Sequence, residues 1–157
     1  DPPEGTQSFA LVAEDVDHRT GIWVHWVLYN IPPNATGLPS SILTSTDVLP
    51  DGTVQGTNDF SAIGYYGPCP PVALLEYWKV GIDPPHQYVF KLYALDDKVG
   101  LAPGATKAEL LSALDGHVLA QTETMGKFSA PPQVAETLTQ VARKTIIPGQ
   151  PTPTWPP

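Results

Sequence analysis

Nineteen prolines and thirteen glycines are spread through 157 residues, and this punctuation limits the possible folds more than any other feature. A proline inside a helix removes a backbone donor and clashes with the preceding turn, so a bundle of long helices is excluded. The breaks fall between short apolar runs and show no internal repeat, which is the pattern of short strands joined by tight turns. A mainly β fold is expected. A chain of this length can bury roughly two-thirds of its unfolded surface in one domain, and nothing in the sequence marks a boundary. Residues 1–147 therefore read as a single domain, and 148–157, half of them proline, as an extended tail.

Ser8 to Ala13 is a compact apolar run fit for a buried strand. Trp23 to Tyr29 is apolar on both faces apart from His25, and Tyr88 to Leu95 is similar, as central strands of a sandwich are. Period-two alternation puts His25, Val27 and Tyr29 on one face of the earlier strand, and His86, Tyr88, Phe90 and Leu92 on one face of the later one. Thr106-Lys-Ala-Glu109 ahead of Leu110, Leu111 and Leu114 has the form of a capping box opening a short amphipathic helix, with Gly116 placed to end it. Val134, Leu138 and Val141 mark a second helix from about Gln133 to Arg143.

Charge narrows the partners. The formal net charge is −8 with only eight Lys and Arg, which argues against sequence-independent binding to nucleic acid or to anionic membranes. No apolar run approaches the roughly 20 residues that span a bilayer. Asp1-Pro-Pro-Glu4 lacks the basic start and apolar stretch of a signal peptide, although a signal already removed would leave the same start, and the compartment stays open. The single Cys69 has no partner within the chain.

The chain carries no Gly-x-Ser-x-Gly, His-Glu-x-x-His, Gly-x-x-x-x-Gly-Lys-Ser/Thr or Cys-x-x-Cys. What remains is a set of ionisable and turn residues beside strands that otherwise read as core: Asp15, Asp17, His25, Gly67, Pro68, His86 and Tyr88. Two imidazoles facing one cavity can donate hydrogen bonds to an oxyanion, which in turn favours their charged form. Tyr88 adds a hydroxyl, and a glycine turn lets backbone N–H groups approach an anion. The carboxylates can orient an imidazole, accept the hydroxyl of a monoprotonated phosphate or pair with an ammonium. A zwitterionic ligand suits the mixture better than a bare dianion. Each residue has a plainer role: a histidine on an apolar strand is usually a satisfied core residue, Asp15 and Asp17 can be turn formers, and Tyr88 can be core. Zinc, manganese or iron is the competing chemistry; no cofactor is expected.

Five motifs occur in order: Asp15-Val-Asp17, His25-Trp-Val-Leu-Tyr-Asn30, Gly56-Thr-Asn58-Asp-Phe60, Gly64-Tyr-Tyr-Gly67-Pro68-Cys-Pro-Pro71, and His86-Gln-Tyr88 with the Phe90 to Asp96 strand. Together, from about Pro3 to Leu119, they resemble the phosphatidylethanolamine-binding protein family, in particular its bacterial and archaeal Raf-kinase-inhibitor-like members. The resemblance implies a large sheet packed on a smaller one with peripheral helices, and a pocket for phosphate or a phosphoethanolamine head group. On that resemblance Asp15 and Asp17 match the family's aspartate pair, His25 its first pocket histidine, Gly67 and Pro68 its loop, and His86 and Tyr88 its second wall. The chain departs from the family at Asp15-Val-Asp17-His18-Arg19, where members usually have Asp-Pro-Asp-Ala-Pro. It departs again in the long apolar connector Val72 to Pro85, and before Pro3, where members have early strands and often a cysteine that could pair with Cys69.

The expected function is that of a binding module for a small phosphorylated or zwitterionic ligand, with a regulated kinase or protease as a further partner. The alternative is a serine protease inhibitor working through a surface loop, for which residues 73–82 and the tail are candidates; residues 73–82 are also a candidate dimer contact. A histidine-dependent phosphoester hydrolase is the enzymatic alternative.

Overall fold

The structure, a computed structural model, describes residues 1–38, 42, 46–68 and 85–129. The connector 72–84, Cys69, the helix expected over Gln133 to Arg143 and the proline tail lie outside the described residues. Asp1–Pro68 and His86–Phe128 form one compact unit.

That unit is mainly β. Its strands are β1 (Ser8–Asp15), β2 (Trp23–Ile31), β3 (Val54–Gln55), β4 (His86–Leu95) and β5 (Val118–Phe128), and one helix, α1 (Lys107–Ala113), lies between β4 and β5 in the chain. They form a single five-stranded sheet in the order β3-β2-β1-β4-β5, with every pairing antiparallel. The three runs read as strands are the three interior strands. A strand paired on both edges and covered on both faces reads as a nearly continuous apolar run, which these runs approach, with Lys91 the charged exception within the β4 run.

Two apolar clusters sit on opposite faces of the sheet. One joins Ala10, Val12, Val24, Val27, Tyr29 and Leu95 to Leu110 and Leu114 of the helix segment. The other joins Ala13, Trp26, Leu28 and Ile31 to Phe9, Leu11, Phe90 and Tyr65. The helix begins as its sequence demands: the Thr106 side chain accepts from the Glu109 N–H, and the Glu109 carboxylate accepts from the Thr106 N–H at 2.7 Å. Its fully buried Leu110 fixes it to the first cluster. Gly116 has φ +80 just past the helix end, a conformation that suits glycine.

One expectation fails at β2. Ala13 lies opposite Trp26 and Glu14 opposite Val24, so His25 is an extra residue facing no partner on β1. This β-bulge breaks the period of two. Val24, Val27 and Tyr29 share the first cluster while Trp26 and Leu28 share the second. His25 does not share a face with Val27 and Tyr29: its ring meets Tyr88, on the side of β4 that also carries Phe90.

Candidate functional site

The site grows from the facing ends of β1, β2 and β4. Asp15 is the last residue of β1 and lies opposite Tyr88 of β4, two residues beyond His86. Both Asp15 and His86 are 2% exposed, and His86 Nδ1 stands 2.6 Å from Asp15 Oδ2. A carboxylate only accepts, so Nδ1 carries the proton. The other Asp15 oxygen accepts from the Asp17 N–H at 2.9 Å. Asp15 thus orients His86, as carboxylates orient imidazoles at many polar sites.

Asp17 is exposed. Its Oδ2 accepts from the Gln87 side-chain amide at 3.0 Å and the Gln87 N–H at 2.9 Å. These bonds, the side-chain one first, lower its pKa against a small opposing effect of desolvation. The link ties the turn after β1 to the start of β4 and so supports the Asp15–His86 pair from outside.

His25, brought round by the bulge, is 4% exposed. Its Nδ1 lies 2.6 Å from the Tyr66 carbonyl oxygen, and a carbonyl only accepts, so this ring too has its proton on Nδ1. Its face meets Tyr88 and Phe60 edge to face, each with ring centroids 5.3 Å apart. Phe60 stacks on Tyr66 and stands edge-on to Trp23, which in turn lies against His18. Phe60 and Tyr66 remain 39% and 43% exposed, so they form an open aromatic rim next to two buried histidines. The Trp23 Nε1 atom is buried with no hydrogen-bond partner among the described residues.

Gly67 and Pro68 follow directly on Tyr66, whose N–H also donates to the His25 carbonyl at 3.2 Å. Gly67 does not have a positive φ, and a Cβ there would make only ordinary contact with the Tyr65 ring. His25, His86, Asp15 and Tyr88 are therefore gathered into one network, Gly67 and Pro68 adjoin it through the chain, and Asp17 braces it. No group of three or more His, Cys, Asp or Glu suited to a metal ion occurs among the described residues.

Sequence reasoning did not single out Glu14, Phe60 or Tyr66. Glu14 is fully buried on the opposite face of the sheet. It accepts from Lys91 at 2.8 Å and from Lys107, the first residue of α1. Burial alone would push its carboxyl up; the hydrogen bonds from Lys107 and Lys91 outweigh it and hold the group below the usual carboxylate range. Phe60 and Tyr66 lie inside two of the five motifs, but only the fold brings them to His25.

Comparison with known proteins identifies the family of this fold. The family model for phosphatidylethanolamine-binding protein matches residues 1–129. A UPF0098 protein of Methanothermobacter thermautotrophicus is 42% identical over 126 residues, covering 80% of this chain and 76% of the relative. A Pyrococcus horikoshii relative, UPF0098 protein PH1269, is 39% identical, and the chain spans only 59% of its length. Among solved structures, the Chlamydia trachomatis homologue CT736 superposes with a TM-score of 0.68 at 34% identity, over 83% of this chain and 77% of that one. Escherichia coli YbcL, described as a member of the mammalian family, gives the same score and identity over 82% and 75%. With the family model matched over most of its length and relatives above 30% identity in both sequence and structure, the chain belongs to the phosphatidylethanolamine-binding protein family.

Proposed function

We propose that the chain binds a small phosphorylated ligand bearing a cationic end, such as a phosphoethanolamine head group, and does not transform it. The observation that supports this most directly is the proton arrangement of the two histidines. His86 and His25 both commit their Nδ1 protons, one to Asp15 and one to the Tyr66 carbonyl, so a second N–H on either ring exists only in the imidazolium form. An anion would draw the rings into that form. The open faces of Phe60 and Tyr66 suit an ammonium group, since aromatic faces attract cations by roughly 0.5–1 kcal/mol at exposed sites. Asp15, with both oxygens bonded within the chain, is the orienting group.

Calorimetry of inorganic phosphate and phosphoethanolamine tests the reading. Both bind the wild-type chain, and His86→Ala removes that binding. Unchanged binding in His86→Ala overturns the proposal; protease inhibition through a surface loop would likewise leave pocket substitutions without effect. Phosphomonoesters incubated between pH 6 and 8, with and without divalent metals, are expected to remain intact. Steady hydrolysis that disappears in His86→Ala would establish an enzyme instead.

A further inference from the structure

The loop from Asn58 to Tyr66 holds His25 from several directions, and Asn58 organises that loop. Asn58 is 3% exposed. Its Oδ1 accepts from the Phe60 N–H at 3.0 Å and the Ala62 N–H at 3.2 Å. Its Nδ2 donates to the Gly64 carbonyl at 2.9 Å. Its backbone adds a bond to Ala62 and one from Ser61, at 2.9 and 3.0 Å. One side chain thus closes the loop on itself, and Ser61 adopts φ +58 within it, a region that costs a non-glycine residue and persists where neighbouring bonds enforce it.

The closed loop reaches β2 at three points, all centred on His25. The Val24 N–H donates to Asp59 Oδ2 at 2.7 Å and the Asp59 N–H donates to the Val24 carbonyl at 3.0 Å, so the loop is clasped to the residue before His25. Phe60 sets its ring against the imidazole. Tyr66 bonds His25 twice, through its N–H to the His25 carbonyl and through its carbonyl to Nδ1. The bulge frees this part of β2 from β1, and the loop supplies what the sheet does not.

From this we infer that Asn58 is a positioning residue: by folding the 58–66 loop it fixes His25 in the Nδ1–H tautomer and directs Nε2 as the ligand-facing nitrogen. The inference rests on the ligand-binding reading of the site. It divides the two histidines between independent supports, since His86 receives its tautomer from Asp15, on a different strand, and does not depend on the loop.

Long-range ¹H–¹⁵N correlation of the imidazole nitrogens in the full chain at pH 8 reports each tautomer directly. In the wild type both rings show the Nδ1–H form, with a His25 Nδ1 proton protected from exchange. In Asn58→Ala, His25 moves toward the Nε2–H form or a mixture, His86 keeps Nδ1–H, and inorganic phosphate binds about tenfold more weakly, the equivalent of one lost charge-assisted hydrogen bond. Asn58→Ser is the milder variant, because a serine hydroxyl can still accept from nearby N–H groups but is too short to reach Gly64; the same separation of the two rings is expected. Ser8→Ala, which removes a buried hydrogen bond to the Asp97 carbonyl at the opposite end of β1 from Asp15, serves as a stability control and leaves both tautomers unchanged. Retention of the His25 Nδ1–H form in the folded Asn58 variants, loss of both tautomers together, or absence of that form in the wild type overturns the assignment. If wild-type chain binds neither phosphate nor phosphoethanolamine, the binding reading fails, while the tautomer measurement still decides the role of Asn58.

Discussion

Two buried carboxylates one residue apart do different work. Asp15 faces the side of the sheet with the histidines, and Glu14 faces the side with α1, because neighbours on a strand point oppositely. Asp15 was legible from sequence: an aspartate preceding a histidine-bearing strand, with a second histidine beginning another apolar strand, is chemistry that the core does not need. Glu14 was not legible, since its partners Lys91 and Lys107 lie 77 and 93 residues further on and nothing local distinguishes it from a surface glutamate. Its depressed carboxyl makes a definite prediction. A group whose folded pKa lies below its unfolded one adds stability that is fully present above the unfolded value and is lost as pH falls through the folded one. Thermal melts from pH 7 downward should therefore fall more steeply for the wild type than for Glu14→Gln. At neutral pH the substitution should cost about 1–3 kcal/mol, the range for hydrogen bonds to a charged buried group. Matching slopes in the two proteins would show that the lysines do not hold Glu14 ionised.

At the scale of elements, the interior strands and the capped helix followed from apolar continuity and from the Thr106–Glu109 spacing. The edges did not. β3 has two residues, too few for any period, and all eleven residues of β5 are exposed, so no burial alternation is written into Val118–Phe128. The bulge at His25 also escaped a count by twos, because an inserted residue leaves composition unchanged and shifts only phase. Where elements meet, one glycine is required. A Cβ on Gly56 would stand 2.3 Å from the Ala105 carbonyl oxygen and 2.7 Å from Val27 Cγ1. The close approach lets the Gly56 N–H donate to Val27 at 2.8 Å and the Thr57 N–H to Ala105 at 3.0 Å, which anchors the segment leading into Asn58. Gly56→Ala should lower stability by roughly 1–3 kcal/mol, as overpacking does. Chemical denaturation would reveal it as a shifted midpoint with an unchanged slope; no shift would mean that the segment can move aside.

For the molecule as a whole, a charge of −8 sets a repulsive background for any anion approaching the histidines. At about 10 mM salt the screening length is roughly 30 Å and the whole field is felt; at about 150 mM it is roughly 8 Å and only nearby groups count. Phosphoethanolamine, less negative than phosphate, suffers less from that field. Its advantage over phosphate should therefore narrow between those two conditions when both are titrated calorimetrically, and an advantage that widens would place the discrimination elsewhere. The extra residue at His25 carries a consequence of another kind. Deleting one residue from β2 at this point would remove the bulge beside Glu14, yet it would send either the histidine or the Val27 and Tyr29 side chains to the wrong face. Point substitutions leave that phase untouched. The orientation of His25 is thus written in the length of β2 rather than in the identity of its neighbours, and a reading of composition alone passes over it.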